Sequence, residues 1–461
     1  MAPRREGSGE GGALPSSAAP TPIAALAALR AASDREGVLS LGRRRELLRA
    51  LDRVLVARAE DVVAAAAADF GARSVEDTLL ADVVLVLDAA RYARRKLREW
   101  ARPRRAPVPF PFQPARAVLE PVPKGVVGVM APWNYPFQLA LLPAVDAVAA
   151  GNRVAFKPSE ATPRCSALLA EIVAEAWGPE VGLVVQGGPE VAREFAAQPW
   201  DHLAFTGGTE TGRKVMAAAA ANLTPLTLEL GGKCPAVVLP GADLRRAARD
   251  ILAAKFVNAG QTCVAPDTVI LVGHDQLAFH AACRESGITG TETAVINAAQ
   301  QARLDRITAG VTMEALGPER FPLKLATANG PLAEEEIFGP VLAVECVARL
   351  EEAVAWINAR PAPLAIYLFG ATRAEEAAVA ASTKSGALVC DKALDHAAFF
   401  GMAFGGVGAS GFGRRNGEWG FLEFSQLRAR VRHGRWSLAG LFAPPRSSFA
   451  RKLARRLAGL R

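Results

Sequence analysis

Short runs of β-branched and apolar residues alternate with helical segments from Gly125 onward, and this alternation constrains the fold most. The first set of runs is GVVGVM, NRVAFKP, GLVVQGG, HLAFTGG and PAVVLPG. A second set follows Cys263 and consists of TVILVG, PVLAVEC, LAIYLFG and GALVCD. Strands that alternate with helices predict parallel sheets with crossover helices. Two such sets predict two α/β lobes, and the cleft between two lobes is a common place for a small-molecule site.

Helical periodicity of Ala, Leu and Arg covers the chain before this alternation, from about Pro22 to Arg102, and predicts a group of helices. The proline-rich segment RPRRAPVPFPFQPARAVLEPVP follows and favours an extended or hairpin excursion, because proline cannot continue a helix. With 461 residues the chain is too long for one ordinary core. We therefore expect two large lobes with smaller additions.

Cysteine usage and charge exclude several classes of protein. The six cysteines never form a C-x-x-C pair, which argues against a metal site or a disulfide framework and favours a cytoplasmic location. The first twenty residues lack an apolar stretch and predict a flexible tail, not a signal peptide. After Glu423 there are ten Lys and Arg residues and no acidic ones, whereas the remainder has 44 basic and 46 acidic residues. The body of the chain is therefore nearly neutral, and its C-terminal tail is basic. Because the sequence has no recognisable nucleic-acid-binding motif, we expect no nucleic-acid partner.

A glycine-rich turn in HLAFTGGTETGRKV places Gly207, Gly208 and Gly212 between a predicted strand and a helix. There, backbone N–H groups and a helix N-terminus can face an anion. A tight structural turn fits equally well, because the middle glycine of the dinucleotide fingerprint is replaced by threonine. Lys157 and Glu160 follow another strand in AFKPSE. They form either a solvated charged pair or a site for ribose hydroxyls.

Three further residues suit acyl chemistry. Cys263 in VNAGQTCVAPD lies among small and polar residues at a predicted helix terminus, surroundings that suit a thiolate, although a buried inert cysteine is commoner. Glu229 in LTLELGGKCP has apolar neighbours, whose desolvation would raise its pKa and suit it to proton abstraction; the alternative is a strand-end glutamate turned to water. Asn134 in MAPWNYPF is framed by prolines and can donate to an oxyanion or form an Asx turn.

Together these motifs resemble the aldehyde dehydrogenase superfamily. PWNYP at 132–136, KPSE at 157–160, FTGGTETG at 205–212, LELGGK at 228–233, GQTC at 260–263, EEIFGP at 335–340 and FGGVGASGFG at 404–413 occur in the order of that family. The resemblance extends from about residue 21 to 430. GQTCVAPD, FGGVGASGFG and the EFS after GFL are similar to the class 3 branch, which acts on aliphatic and aromatic aldehydes.

The resemblance implies a role for each candidate residue. Cys263 would be the nucleophile, Glu229 the general base, and Asn134 with the Cys263 backbone N–H the oxyanion hole. The implied cofactor site comprises Trp133, Lys157, Glu160, Gly207, Gly208, Gly212, Glu336 and Phe338. Glu336 would contact the nicotinamide ribose and Phe338 the ring, whereas a carboxylate at Glu160 would repel a 2′-phosphate. NAD is therefore the expected cofactor, with NADP also accepted. The aldehyde would form a hemithioacetal and then a thioester on Cys263, which water hydrolyses to the acid.

The implied fold is the α/β aldehyde dehydrogenase fold, with a Rossmann-like cofactor domain, an α/β catalytic domain and a small β oligomerisation element. The predicted boundaries are a flexible tail over 1–20, an NAD(P)-binding domain over 21–104 and 122–228, a catalytic domain over 229–413, an oligomerisation element over 105–121 and 414–436, and a basic amphipathic tail over 437–461. The resemblance also implies a homodimer, formed through the element near 105–121 and the segment after Gly413.

Four positions differ from the residues that are usual in the family: Gly208, Cys390, Lys392 and Ala403. The segment between Cys263 and Glu336 is short, and the text before EEIFGP lacks the customary strand, so we predict a trimmed catalytic lobe. Two alternatives to an active dehydrogenase follow. One is a catalytically weakened cofactor-binding or structural relative. The other is an enzyme that passes the thioester to coenzyme A, against which a hydrolytic base at Glu229 argues.

The C-terminal segment FAPPRSSFARKLARRLAGLR resembles the tail of membrane-associated class 3 enzymes. One predicted helical stripe carries Phe449, Leu453, Leu457 and Leu460, and the basic residues lie elsewhere on the helix. Such a helix can lie on anionic lipid as a peripheral contact. The alternative is a solvated terminal helix that covers the substrate entrance or packs on another subunit. No stretch of the sequence reaches membrane-spanning length.

Overall fold

The computed structural model describes residues 19–435 and 438–460. The predicted flexible tail thus lies outside the described residues, except for Ala19 and Pro20. The predicted helical region is confirmed, with the helices α1 (Pro22–Glu36), α2 (Leu41–Ala57), α3 (Ala59–Phe70), α4 (Val75–Thr78) and α5 (Leu85–Trp100). A π-helical turn, Leu79–Val84, joins α4 to α5. π-turns inside helices often occur at functional sites, and this one lines a cavity described below.

The proline-rich excursion forms a separate three-stranded antiparallel sheet. Its strands are β1 (Arg104–Ala106), β2 (Arg116–Pro123) and a strand from near the end of the chain, Ser425–Arg432, called the distant strand. Strand β2 lies in the middle of the sheet. The distant strand pairs with β2 over its whole length and forms an edge of the sheet. The prediction of an extended or hairpin excursion is therefore confirmed.

Four of the five runs in the first predicted set belong to a six-stranded sheet, which also contains two strands outside that set, Leu226–Leu230 and the later Gly411–Phe412. Its parallel strands are β3 (Val126–Met130), β4 (Arg153–Lys157), β5 (Gly182–Val184), β6 (His202–Gly207) and β7 (Leu226–Leu230). The crossover helices are α6 (Gln138–Ala150), α7 (Pro163–Trp177), α8 (Pro189–Ala196) and α9 (Thr209–Ala220). Along β3, Val127 and Val129 enter one core while Val126 and Met130 enter another, so the sheet is covered on both faces.

The four runs of the second predicted set belong to a seven-stranded sheet, which also contains three strands outside that set. Its strands are β8 (Pro235–Val238), β9 (Thr268–Val272), β10 (Met313–Ala315), β11 (Lys324–Thr327), β12 (Val341–Val347), β13 (Ala365–Phe369) and β14 (Ala387–Cys390), in the order β10-β11-β12-β9-β8-β13-β14. The helices of this lobe are α10 (Leu244–Phe256), α11 (Gln276–Glu285), α12 (Ala298–Ile307), α13 (Pro331–Glu334), α14 (Leu350–Asn358) and α15 (Arg373–Ser382). All neighbouring strands are parallel except β10 and β11.

The end of the chain returns to both the first and the three-stranded sheet. Strand β15 (Gly411–Phe412) pairs antiparallel with β7. Helix α16 (Gly417–Glu423) then leads into the distant strand, now β16 (Ser425–Arg432), and α17 (Ser448–Leu457) follows. Strand β7 crosses the predicted boundary between residues 228 and 229, and β15 joins the first sheet although it lies within the predicted catalytic domain. The domain boundaries therefore remain predictions.

Three sequence expectations need correction. The run PAVVLPG, grouped with the first set of strands, forms β8 of the second sheet, because the LGG turn after β7 carries the chain across to the other lobe. A strand does precede EEIFGP: β11 pairs parallel with β12, although KLAT lacks the β-branched run by which strands are recognised. Leu460 does not extend the stripe on α17, because the helix ends at Leu457 and Gly459 adopts a φ of 72°.

Candidate active site

Cys263 is held by an unusual turn after α10. The 3-10 turn Val257–Gly260 contains Asn258 and Ala259 in the left-handed region, with φ of 50° and 54°, a conformation that costs free energy in residues other than glycine. Gln261 is fully buried and secures the turn, because its Nε2 donates to the carbonyls of Asn258 and Ala294, each at 3.0 Å. The backbone around Cys263 is therefore fixed before any ligand binds.

Two cavities meet at Cys263. The first, the central cavity, has a volume of about 270 Å³ and is lined by Asn134, Glu229, Cys263, Glu336 and Phe338, among others. The second, the apolar cavity, has a volume of about 410 Å³ and reaches Cys263 from the π-helical turn and α5. Its walls include Leu80, Val84, Leu85, Tyr135, Leu139, Leu142 and Phe404. The half-buried thiol thus borders both the central cavity, which carries the carboxylates of Glu229 and Glu336, and the apolar cavity.

The thiol is neutral in the protein alone. Burial raises the pKa of Cys263 to about 12, and the charges of Glu336 and Glu229 raise it further. The expectation that its surroundings suit a thiolate is therefore wrong for this state. The local sequence has small and polar residues, but the carboxylates that oppose ionisation come from β7 and from the segment before β12.

Asn134 lies beyond the end of β3 and is fixed on both sides. Its Nδ2 donates to the carbonyl of Gln261 at 3.0 Å, and its own carbonyl accepts from Arg73 Nη1 at 2.8 Å. Arg73 in turn forms a fully buried ion pair with Asp82 at 2.9 Å. An amide nitrogen carries two hydrogens, so one remains for a ligand in the central cavity.

Glu229 lies in β7, opposite Thr206 of β6 and Gly411 of β15. Neither carboxylate oxygen has a hydrogen-bond partner among the described residues, and the side chain is only 4% exposed. Burial raises its pKa to about 7, and the positive charge of Arg415 opposes this rise. The predicted effect of desolvation on Glu229 is confirmed, and the alternative of a glutamate turned to water is wrong.

Five of the eight cofactor candidates line a third space, the outer cavity, of about 660 Å³: Trp133, Lys157, Glu160, Gly207 and Gly208. Lys157 and Glu160 form an ion pair at 3.6 Å, and Lys157 Nζ also donates to the carbonyl of Pro158 at 2.6 Å. Gly208 is the N-cap of α9 and has open space around it. Gly212 lines none of these cavities: it packs α9 on β7, where an added Cβ would approach Leu230 to 2.7 Å.

The outer and central cavities run together. Pro132, Trp133, Thr206, Gly207 and Gly208 line both of them. A side chain at Gly231 would collide with the carboxylate of Glu336, so only glycine leaves that carboxylate in place.

Glu336 and Phe338 are held from α12. Arg303 donates to the backbone carbonyls of Glu336 at 2.9 Å and Ile337 at 2.6 Å, and Phe338 adopts a φ of 46°. The rings of Trp133 and Phe338 meet edge to face, with centroids 5.4 Å apart.

These residues fit a nicotinamide adenine dinucleotide. A carboxylate and an ammonium at the outer end suit ribose hydroxyls, open backbone at a helix N-terminus suits phosphates, and a second carboxylate lies beside the thiol at the inner end. No group of three or more His, Cys, Asp or Glu in the described part of the chain is arranged to hold a metal.

Several residues of the site gave no recognisable signal in the sequence. Arg303 lies on a helix with no local pattern that marks it. Arg415, whose Nε lies 3.6 Å from Glu229 Oε1, belongs to a loop about 190 residues further along the chain. Lys233 forms a buried ion pair with Asp267 and donates to the carbonyl of Leu332 at 2.7 Å. Only Lys233 lay within a recognised motif, LELGGK.

The sequence is similar to that of known proteins. The model of the aldehyde dehydrogenase family matches residues 12–286 and 323–429, which leaves 287–322 unmatched, within the segment expected to be short. A protein of Pseudomonas aeruginosa named as a probable coniferyl aldehyde dehydrogenase is 40% identical over 431 residues, covering 89% of this chain and 90% of its own. A Rattus norvegicus protein named aldehyde dehydrogenase, dimeric NADP-preferring, is 35% identical over 407 residues, covering 85% of this chain and 90% of its own.

The fold is also similar to a solved structure. The substrate-bound state of Staphylococcus aureus AldH superposes with a TM-score of 0.88 and 28% sequence identity. The superposition covers 94% of this chain and 98% of that chain.

Proposed function

The chain belongs to the aldehyde dehydrogenase family, and on that premise we propose which of its residues carry out the oxidation of an aldehyde with NAD(P). Cys263 is the nucleophile, Glu229 the general base and Asn134 the oxyanion donor. The observation that carries this assignment is that the three side chains line one cavity of about 270 Å³. A spectrophotometric panel of aldehydes, run with NAD and with NADP, tests the activity itself. Cofactor binding without turnover of any aldehyde would contradict it.

The first chemical step is attack of the Cys263 sulfur on the aldehyde carbon. The thiol proton must leave, and the neighbouring carboxylates of Glu229 and Glu336, each with a pKa of about 7, are the available acceptors. The carbonyl oxygen becomes an oxyanion, which the Asn134 amide and the Cys263 backbone N–H stabilise. When bound, the nicotinamide cofactor supplies the two-electron acceptor. Oxidation leaves an acyl thioester on Cys263.

The second step is hydrolysis of that thioester. Glu229 removes a proton from water, the water oxygen bonds to the acyl carbon, and the carbon–sulfur bond breaks. The released sulfur takes up a proton, and the carboxylic acid leaves. An ionisable base beside the thiol supports hydrolysis over transfer to coenzyme A. The nucleophile, the base and the amide donor are all present in one cavity, which supports an active enzyme over a catalytically weakened relative.

We assign the outer cavity to the adenosine side of the cofactor, with Glu160 and Lys157 at the ribose. Glu160→Gln is expected to weaken NAD binding about tenfold, because a hydrogen bond to a charged group contributes roughly 1.5–3 kcal/mol. The same change should strengthen NADP binding, since it removes repulsion of the 2′-phosphate. Quenching of tryptophan fluorescence by each cofactor measures both dissociation constants. Glu171→Gln on the exposed face of α7 is the matched control, and an unchanged ratio of the two constants would contradict the assignment.

The apolar cavity supports an apolar aldehyde, aromatic or aliphatic, as the substrate. Its walls are mostly Leu, Val, Ala and aromatic side chains, and burial of such surface contributes about 25 cal/mol per Å². The name of the Pseudomonas aeruginosa relative refers to an aromatic aldehyde. In the aldehyde panel, aromatic and medium-chain aldehydes should therefore show a lower KM than acetaldehyde.

A homodimer built on the three-stranded sheet is the proposed assembly, and the name of the rat relative includes the word dimeric. Strand β16 is an edge strand with Leu427 44% and Val431 53% exposed, and an exposed edge strand is a template for pairing. Light scattering should give twice the chain mass of 48.5 kDa. The double substitution Leu427→Glu with Val431→Glu should yield monomers. Leu277→Glu, on the exposed face of α11, is the control and should leave the dimer intact. A monomeric wild-type protein would contradict the proposal.

Peripheral membrane contact through α17 is the last element of the proposal. Phe449 is 62% and Leu457 71% exposed, and Arg451, Lys452 and Arg456 can each contribute roughly 1 kcal/mol near anionic lipid. None of the helices within 19–435 and 438–460 is both long and apolar enough to cross a bilayer. The protein should sediment with vesicles containing phosphatidylserine, and less with phosphatidylcholine alone. Phe449→Ser with Leu457→Ser should reduce this sedimentation, Leu277→Ser should not, and equal sedimentation with both lipids would contradict the contact.

A further inference from the structure

A buried guanidinium lies beside the general base. Arg415 is 4% exposed, and its Nε lies 3.6 Å from Glu229 Oε1. Neither Nε nor Nη1 of Arg415 has a hydrogen-bond partner among the described residues, and neither do the two oxygens of Glu229. At 3.6 Å the pair is an ionic contact and not a hydrogen bond. Both groups therefore keep unused hydrogen-bonding capacity where the central and apolar cavities approach Cys263.

The position of Arg415 is set by three contacts. Its backbone exchanges two hydrogen bonds with Phe404, at 2.7 and 3.1 Å. Its guanidinium lies over the ring of Phe404, 5.2 Å from the centroid. The next residue, Asn416, donates its backbone N–H to Asp146 Oδ2 at 3.2 Å. Asp146 is a second buried carboxylate, on α6, and the charge of Arg415 lowers its pKa against the effect of burial.

We propose that Arg415 is a positioning residue that keeps the Glu229 carboxylate ionised and directed into the central cavity for the activation of water. Asp146 fixes the segment that carries Arg415. This inference rests on the proposed role of Glu229 and adds the residue on which that role depends.

Other charged groups around Glu229 do not replace Arg415. Arg414 donates its Nη1 to the carbonyls of Gly406 at 3.0 Å and Gly413 at 2.7 Å, so its guanidinium holds the glycine-rich loop. Glu423, which accepts from the hydroxyl of Thr227 at 2.7 Å, is a negative charge that acts against ionisation of Glu229. The remaining neighbours, Cys263 and Glu336, are neutral or negative. The charge of Arg414 also lowers the pKa of Glu229, but less than that of Arg415 does. Without Arg415, burial and the charge of Glu423 would therefore raise this pKa further.

The test uses hydrolysis of 4-nitrophenyl acetate, which acylates Cys263 without any cofactor. The release of 4-nitrophenol after the initial burst reports hydrolysis of the acyl enzyme and is measured as a function of pH. In Arg415→Met the acid limb of this rate should move to higher pH by about 1 to 3 pH units, the effect of an opposite charge within a few ångströms. Arg415→Lys should restore most of the wild-type profile. Arg245→Met, at a side chain 79% exposed, is the control and should leave the profile unchanged.

An acid limb that stays in place in Arg415→Met, or faster hydrolysis at every pH, would overturn the inference. Should that variant fail to fold, Arg415→Gln keeps a polar side chain at the same position and removes the positive charge. Its acid limb should also move to higher pH, and a limb that is unmoved or lower would equally overturn the inference. Glu229→Gln distinguishes a failure of the proposed role of Glu229 from a failure of the proposed role of Arg415. If it hydrolyses the acyl enzyme at the wild-type rate, the proposed function of Glu229 fails; if it is slow while Arg415→Met is unshifted, only the role of Arg415 fails.

Discussion

Replacing Cys263 by alanine is expected to lower aldehyde-dependent reduction of NAD by about 10⁴-fold or more, because no other group of the central cavity can form the thioester. Cofactor binding should persist, since the outer cavity is lined by other residues. The measurement pairs initial rates, followed by the absorbance of reduced cofactor, with the dissociation constant of NAD.

Cys346→Ala is the matched control for this substitution. Cys346 lies on β12 and is exposed, so its loss should leave the rate unchanged. Cys234 is less suitable as a control, because its Sγ donates to the carbonyl of Cys263 at 3.3 Å. A Cys263→Ala protein that oxidised aldehydes at the wild-type rate would contradict covalent catalysis.

Glu229→Gln is expected to separate the two halves of the reaction. Glutamine keeps the shape of the side chain but cannot accept a proton, so the steady rate should fall by about 10²–10⁴-fold, the usual contribution of a general base. Formation of the thioester precedes this step, and Glu336 remains as an acceptor for the thiol proton. The variant should therefore still show an initial burst of reduced cofactor. Stopped-flow absorbance measures the burst and the steady rate in one trace.

The same prediction has a pH dependence with a defined sign. Glu229 acts as a base only when ionised, and its pKa is raised to about 7 by burial. The wild-type steady rate should therefore fall as pH decreases below about 7, and Glu229→Gln should lack that acid limb. Glu160→Gln is the matched control, since it should alter cofactor affinity but keep both the initial burst of reduced cofactor and the fall of the steady rate at acid pH. A Glu229→Gln protein with the wild-type steady rate would contradict the assignment.

Strands and the burial of single residues were predictable where the signal is local. Strands buried on both faces, such as β3 and β9, consist of continuous apolar runs, and such runs are visible in any sequence. The desolvation of Glu229 was also predictable, because its apolar neighbours lie in the same strand. The resemblance of seven ordered motifs then supplied the relation between Cys263, Glu229 and Asn134 that none of these residues carries alone.

The features that sequence reasoning missed depend on pairing between distant segments. The contact between Arg415 and Glu229 exists because β15 returns to pair Gly411 with Glu229, and no local pattern encodes that return. Burial is the main cause of the raised pKa of Cys263, and the charges of Glu336 and Glu229, which raise it further, come from two other segments of the chain. Gly212 lies within a motif typical of cofactor binding, yet its local role is close packing of α9 on β7.

The proposed mechanism requires a covalent acyl intermediate on Cys263, which mass spectrometry of the Glu229→Gln protein can detect. The protein is mixed with benzaldehyde and NAD, quenched in acid during the burst and digested. We expect one benzoyl adduct, on the peptide that contains Cys263, and none when NAD is omitted. An unmodified Cys263 peptide after a full burst, or an adduct on another cysteine, would contradict it.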